Sequence, residues 1–273
     1  MIFSRKNAFL LPLLAFSLSG CTPQGEGAVR GIAASFVAAR AFDRAKTAIQ
    51  RDDAAGLERA GNQMRRAASA GSNPRLAGAL ASELTLQANL LLAQASQVSG
   101  AQKYRLSEDS NAKYRAALAF APQNQAQKSL DAHTLNALGY FLADKGSTRA
   151  DFERAAVLTR AAYQNWDLSG QFTDSNQLGR AVNAQDSYAW ALFRLGRYEE
   201  ALTQQKKVWD IARGMGMADL TADIPFHLGE IYRALGQEKH ARLAYETALR
   251  LTITDETRVL VEGGLKSLDL ARV

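Results

Sequence analysis

The chain contains three histidines, His133, His227 and His240, any of which could hold a metal or move a proton if its neighbours were right. Metal ligation from one helix face needs a second ligand three or four residues away. No histidine has another at that spacing, and no HExxH occurs. Asp223 and Glu230 lie one helical turn to either side of His227, the one place where a carboxylate could share an imidazole proton. A serine nucleophile lacks its GxSxG elbow. Gly214-x-Gly216 has neither a following GK[ST] nor a preceding strand that would make it a phosphate loop. The adjacent carboxylates Asp52-Asp53 and Glu199-Glu200 fall where helices should begin, and negative charge there complements the helix dipole. These residues point away from catalysis: the chain reads as a non-enzyme, with no cofactor and no metal.

Cys21 is the single cysteine, which excludes an intramolecular disulfide and a cysteine-rich metal site. It ends a segment in which Arg5 and Lys6 form a positive head and Ala8 to Leu18 an apolar run broken only by Pro12 and Ser17. That order is a secretory signal peptide, and about eleven apolar residues fall short of the roughly 20 that a spanning helix needs. Leu18-Ser19-Gly20-Cys21 resembles the lipobox of bacterial lipoproteins. The resemblance implies cleavage before Cys21, acylation of its thiol (palmitate among the chains), and a protein anchored in the cell envelope membrane without spanning it. Each buried methylene adds about 0.8 kcal/mol of membrane affinity, so several chains hold stably where one does not. In a host with two membranes, Thr22 in place of aspartate after the cysteine resembles an outer-membrane destination, facing the periplasm.

Removal of residues 1–20 leaves 253 residues, and loss of Arg5 and Lys6 lowers the formal charge from +6 to +4. No block of five like charges occurs, so no nucleic-acid partner is expected. Five prolines, with abundant Ala, Leu, Gln and Arg and few Val, Ile or Thr runs, favour helix throughout. No window after the signal approaches 18 consecutive apolar residues.

The elements that must position any site are therefore helices. Periodicity predicts them near 28–51, 53–70, 75–98, 107–120, 130–144, 150–165, 173–195, 198–213, 221–236, 238–252 and 255–270. Turn chemistry separates them at Gly71-Ser72-Asn73-Pro74, Pro122-Gln123-Asn124, Lys145-Gly146-Ser147, Gly196, Gly214 and Gly236. Residues 21–27 read as a lipidated tether, 28–130 as divergent helical hairpins and 131–273 as repeats with a capping helix.

Two of these hairpins align. Tyr188-Ala189-x-x-Leu192-x-x-Leu195-Gly196 matches Leu228-Gly229-x-x-Tyr232-x-x-Leu235-Gly236, and Ala201 and Ala241 each follow the small residue by twelve positions. A third copy, Leu135-x-x-Leu138-Gly139-x-x-Leu142 with Phe152, Ala155 and Ala162, carries four extra turn residues. The pattern resembles the tetratricopeptide repeat, in which small residues let two antiparallel helices approach and large ones fill the space between pairs. The resemblance implies an all-α, right-handed superhelical solenoid of antiparallel helix pairs. Residues 255–270 form its C-terminal capping helix, with Val259, Leu260, Leu265 and Leu268 turned inward.

Such solenoids bind partners through the concave face. Carried onto this chain, the groove positions are His133, Asn136 and Tyr140, then Asp186, Trp190, Phe193 and Arg194, then Phe226, Glu230 and Arg233. Trp190, Phe193 and Phe226 make an aromatic set flanked by arginines, residue types that dominate interface energetics. Trp190 and Phe193 packing between repeats is the alternative. The sequence thus predicts an envelope adaptor that binds proteins or peptides. Two rival readings stay open: a ligand-binding or enzymatic domain in residues 28–122, and a homo-oligomeric structural protein of the envelope.

Overall fold

The computed structural model describes residues 23–51, 53–69, 75–121, 129–166, 175–214, 221–251 and 254–270. The signal segment, Cys21, Thr22 and the turns at 71–74 and 122–124 lie outside the described residues. Within them the chain runs through eleven helices: α1 (Pro23–Gln50), α2 (Ala54–Ser69), α3 (Arg75–Ala95), α4 (Gly100–Phe120), α5 (Ala132–Lys145), α6 (Arg149–Asn165), α7 (Ser175–Arg194), α8 (Tyr198–Gly214), α9 (Asp223–Ala234), α10 (Glu238–Arg250) and α11 (Asp255–Leu270).

Local chemistry ends and starts these helices. At the α7–α8 turn, Arg197 N–H donates to Leu192 O at 3.0 Å while Gly196 N–H donates to Phe193 O at 2.9 Å. The α9–α10 turn repeats the arrangement, with Gln237 on Tyr232 O and Gly236 on Arg233 O. This Schellman closure needs a left-handed residue, and Gly196 (φ 76°) and Gly236 (φ 69°) supply it. The longer α5–α6 turn is closed differently. Thr148 and Asp151 form a reciprocal capping box at the start of α6, and Asp131 caps α5 by accepting from Thr134 N–H at 2.9 Å. Each such cap contributes about 1 kcal/mol.

Consecutive helices pair as α1/α2, α3/α4, α5/α6, α7/α8 and α9/α10, with α11 laid against α10 and α9. Each odd-numbered helix also touches the next odd-numbered one from α1 to α11. That continuous row of first helices is what makes the fold a tetratricopeptide-like solenoid. One core runs through it from Ala41 and Ala45 past Leu80, Leu84, Tyr114, Leu135 and Leu158 to Tyr245 and Val261. At the far end the arc returns on itself, and Lys103 of α4 pairs with Glu256 of α11 at 2.6 Å.

The structure departs from the sequence expectations in four places. Residues 23–27, expected as tether, are the first turn of α1. A proline at the first helical position loses no hydrogen bond, so Pro23 permits a helix there. The second helix of the α3/α4 pair starts at Gly100, not 107, after a reversal at Gly100 (φ 60°). Its first turns hold Lys103, whose ion pair with Glu256 is a distant partner that local periodicity does not reveal. The capping helix keeps Leu268 buried and Leu265 on the core as expected, but completes its inner face with Thr257, Val261 and Gly264, leaving Val259 (68 %) and Leu260 (55 %) exposed. Close approach at Gly264 sets this register, because a Cβ there would lie 2.6 Å from Tyr245 Cζ. Finally, α3 is long and apolar enough to cross a membrane by length and composition, with a mean hydropathy of 1.3. Uncharged polar residues such as Ser82, Thr85 and Gln87 interrupt its apolar run without lowering that mean much, and Leu80, Ala81, Leu84 and Ala88 pack into the core.

Candidate functional site

The row of first helices presents its inner side to a cavity of about 460 Å³. Asn89 comes from α3, Asn111 and Tyr114 from α4, His133, Asn136, Tyr140 and Asp144 from α5, Asn183 and Asp186 from α7, and Asp223 from α9. A register explains the set. Six residues before the small residue of each repeat (Gly139, Ala189, Gly229) stand His133, Asn183 and Asp223, all on the cavity wall. Three residues before it stand Asn136, Asp186 and Phe226, of which the first two reach the wall. Positions i and i+3 share one helix face, so a single polar stripe is copied from repeat to repeat.

Hydrogen bonds stiffen this wall. Tyr114 donates its hydroxyl to Asn89 Oδ1, and Asn89 Nδ2 lies 3.2 Å from His133 Nε2. Burial pushes the Tyr114 phenol up to about 12. Asn136 Oδ1 is shut off from solvent and has no hydrogen-bond partner.

Behind the wall lies a buried polar knot. Asp186 Oδ1 accepts from Gln205 Nε2 at 2.6 Å, and His227 Nδ1 sits 3.0 Å from Asp186 Oδ2. Gln205 Nε2 also donates to Ile224 O at 3.1 Å, tying α8 to the start of α9. Burial pulls the His227 imidazole down, but the charge and hydrogen bond of Asp186, aided by Asp223 and Asp144, outweigh it and raise its pKa above 6.5. Trp190 stacks on this imidazole at 4.2 Å between centroids.

Of the residues predicted from the sequence, His133, Asn136, Tyr140 and Asp186 line the cavity. The aromatic set does not form a surface. Trp190 (7 % exposed) and Phe226 (8 %) belong to the core, and Phe193 stacks on Trp190 at 4.7 Å. The alternative of packing between repeats is the one realised for Trp190, because its ring fills the gap between α7 and α9 beside His227. Arg194 is also structural. It donates to the carbonyls of Ala143, Asp144 and Gly146 at the end of α5 and lies 4.4 Å over the Phe152 ring. Glu230 and Arg233 pair with each other at 2.6 Å, and Glu230 accepts from the Tyr245 hydroxyl. Sequence reasoning did not assign Asn89, Asn111, Asp144, Asn183 or Asp223 to the groove, and weighed Asp223 only as a neighbour of His227. The polar residue six positions before each repeat's small residue was the signal for the last two.

A second cavity of about 520 Å³ lies between the first two helix pairs, with Leu57, Leu91, Ala116 and Phe120 on its walls and Asp53, Glu58, Asp109 and Arg115 at its edge. Among the described residues no group of three or more His, Cys, Asp or Glu side chains is placed to hold a metal ion.

Residues 222–252 match the tetratricopeptide repeat family model. This segment spans α9 and α10, the most C-terminal of the three copies read from the sequence. No curated protein and no solved structure matches the chain. One helix pair of this tetratricopeptide-like solenoid is thus similar to a tetratricopeptide repeat, a unit of the kind that serves protein–protein interaction.

Proposed function

We propose that the protein is a lipid-anchored adaptor of the bacterial cell envelope that gathers protein partners in its concave groove. One observation carries the groove reading: first helices of four successive pairs contribute side chains to a single polar cavity. A solenoid that only filled space would have no reason to repeat a polar stripe on its inner face. Sequence supports the anchor, through the signal segment and the lipobox-like Leu18-Ser19-Gly20-Cys21. With the domain beginning at or near the cysteine, the groove would work close to the membrane surface.

The test is capture from detergent-solubilised envelopes by the purified domain, comparing it with Asn136→Leu, which fills the cavity wall. Partners captured by the native domain and lost in the variant support the reading. Partners retained by a folded Asn136→Leu domain overturn it.

A second reading, a small-ligand site in residues 28–122, has the apolar-walled cavity beside Phe120 in its favour. A Phe120→Trp probe whose fluorescence answered to medium-chain fatty acids would support that reading.

A further inference from the structure

We infer that the concave cavity receives a cationic side chain, arginine or lysine, presented by an extended segment of the partner. The inference rests on the groove reading above and specifies its ligand chemistry. Three carboxylates reach the wall, Asp144 from α5, Asp186 from α7 and Asp223 from α9, against one ammonium, Lys145. Lys145 is already bound to Asp144 at 2.9 Å. The site is therefore acidic in a chain whose formal charge is +6.

The acceptors are not all spent. Asp186 is engaged by Gln205 and His227. Asp223 takes the Thr257 hydroxyl on Oδ1 at 3.1 Å, which leaves its second oxygen able to take a charged donor. Tyr140 reports the local field. Burial, followed by the charges of Asp223, Asp144 and Asp186, holds its phenol protonated well above the ordinary range. Burial, the larger cause, disfavours charge of either sign; it is the share contributed by the three carboxylates that favours an ammonium or guanidinium at the same place. The Tyr140 and Phe141 rings on the same wall add faces on which a cation can rest.

The same inventory argues against an acidic segment. Lys145, the one ammonium on the wall, is already paired with Asp144. About 460 Å³ also exceeds what one side chain fills, and lies within the range of about 300–1,000 Å³ usual for ligand clefts. Main chain and neighbouring side chains of the bound segment can enter with the cation, and the amides of Asn89, Asn111 and Asn183 offer both donors and acceptors to them.

The probe is a short fluorescein-labelled peptide of repeated Arg-Ser-Gly, compared by anisotropy with its citrulline and glutamate counterparts on the full domain. Citrulline keeps the shape of arginine and removes its charge. The arginine peptide should bind at least roughly tenfold more tightly than the citrulline one, and less tightly as salt rises. Asp223→Asn should remove most of that difference, whereas Glu153→Gln, on the outer helix α6, should leave it intact. Because Asp223 also opens α9, a melt accompanies each variant. Asn183→Asp gives an independent arm by adding a carboxylate to the same stripe, and should tighten the arginine peptide severalfold.

Equal binding of the arginine and citrulline peptides, preference for glutamate, or indifference to both Asp223→Asn and Asn183→Asp overturns the inference. Envelope capture separates its failure from that of the groove reading. Capture lost in Asn136→Leu but unchanged by both charge variants rejects the cation and keeps the groove; capture unchanged by all three rejects both.

Discussion

His227 on α9 and Asp186 on α7 meet through Nδ1 and a carboxylate 3.0 Å apart, with both side chains buried. The pair joins two successive repeats and gives the fold a pH dependence whose sign follows from the direction of the shift. The folded pKa of His227 lies above 6.5, so the folded state binds more protons than the unfolded one between 6.5 and that raised value. The contribution is complete below 6.5 and is lost as pH rises through the folded pKa. Thermal melts should therefore show stability falling as pH rises above 6.5 through the raised folded value. His227→Gln should flatten that slope. A variant that kept the native slope would mean that other groups produce it.

Asp186→Asn tests the pair from the other side. Breaking a buried pair by removing one charge costs about 3–5 kcal/mol, because the remaining partner is left uncompensated. His227 would then be held neutral by burial, so the fall above pH 6.5 should disappear, stability should instead drop as pH falls below 6.5, and much of the stability should be lost at every pH.

Trp190→Ala should cost about 3–5 kcal/mol of stability, the range for truncating a large buried aromatic. The sequence reading placed this residue on the binding surface, with packing between repeats as the alternative. Its stacking on Phe193 and His227 reverses that expectation. Trp190→Phe keeps most of the volume and removes an indole N–H that has no partner, so it should cost less than about 1.5 kcal/mol. Chemical denaturation of both variants decides the matter: a Trp190→Ala domain as stable as the native one would return the residue to the surface.

The helices were legible because pattern and turn chemistry are local: each of the eleven described helices overlaps a span that periodicity predicts, with α1 and α4 starting early, and Gly196 and Gly236 close their turns as glycines after helices do. Packing of the repeat was legible too, since Gly139, Ala189 and Gly229 sit where helices touch. The site was legible only in part. His133, Asn136, Tyr140 and Asp186 were found from repeat position, but equivalent positions do not have equivalent surroundings. Asp186 reaches the cavity, whereas Phe226 at the same position is buried beside Trp190 and Tyr245. Asn89 and Asn111 belong to a helix pair without a readable repeat, and only the curvature of the solenoid brings them opposite Asp223. That curvature is a sum over all helix contacts and has no signature in a local window.

Cys21→Ser tests the anchor. If the thiol carries the lipid, the variant should lose metabolic labelling with a clickable fatty acid and leave the membrane fraction, either soluble or unprocessed. Label persisting in the variant would reject acylation at this residue. In a host with two membranes, sucrose-gradient fractionation should find the native protein in the outer membrane, as Thr22 leads one to expect.

The closest approach in the C-terminal repeat gives the sharpest packing test. Tyr245 of α10 lies between two glycines: a Cβ on Gly229 would stand 2.5 Å from its Cε1, and one on Gly264 2.6 Å from its Cζ. The ring is fully buried and its hydroxyl is tied to Glu230 at 2.5 Å, so it cannot swing aside without breaking that bond. Gly229→Ala should therefore destabilise by about 1–3 kcal/mol through overpacking, and Gly229→Leu by more. In an exposed helix the same Gly→Ala change would stabilise by about 1 kcal/mol, since alanine is the better helix former. The two effects separate in a double-mutant cycle. On a Tyr245→Ala background, already weakened by the lost ring, the added methyl meets empty space and Gly229→Ala should turn neutral or stabilising. Equal costs in the two backgrounds would show that the glycine is needed for some reason other than the tyrosine it faces.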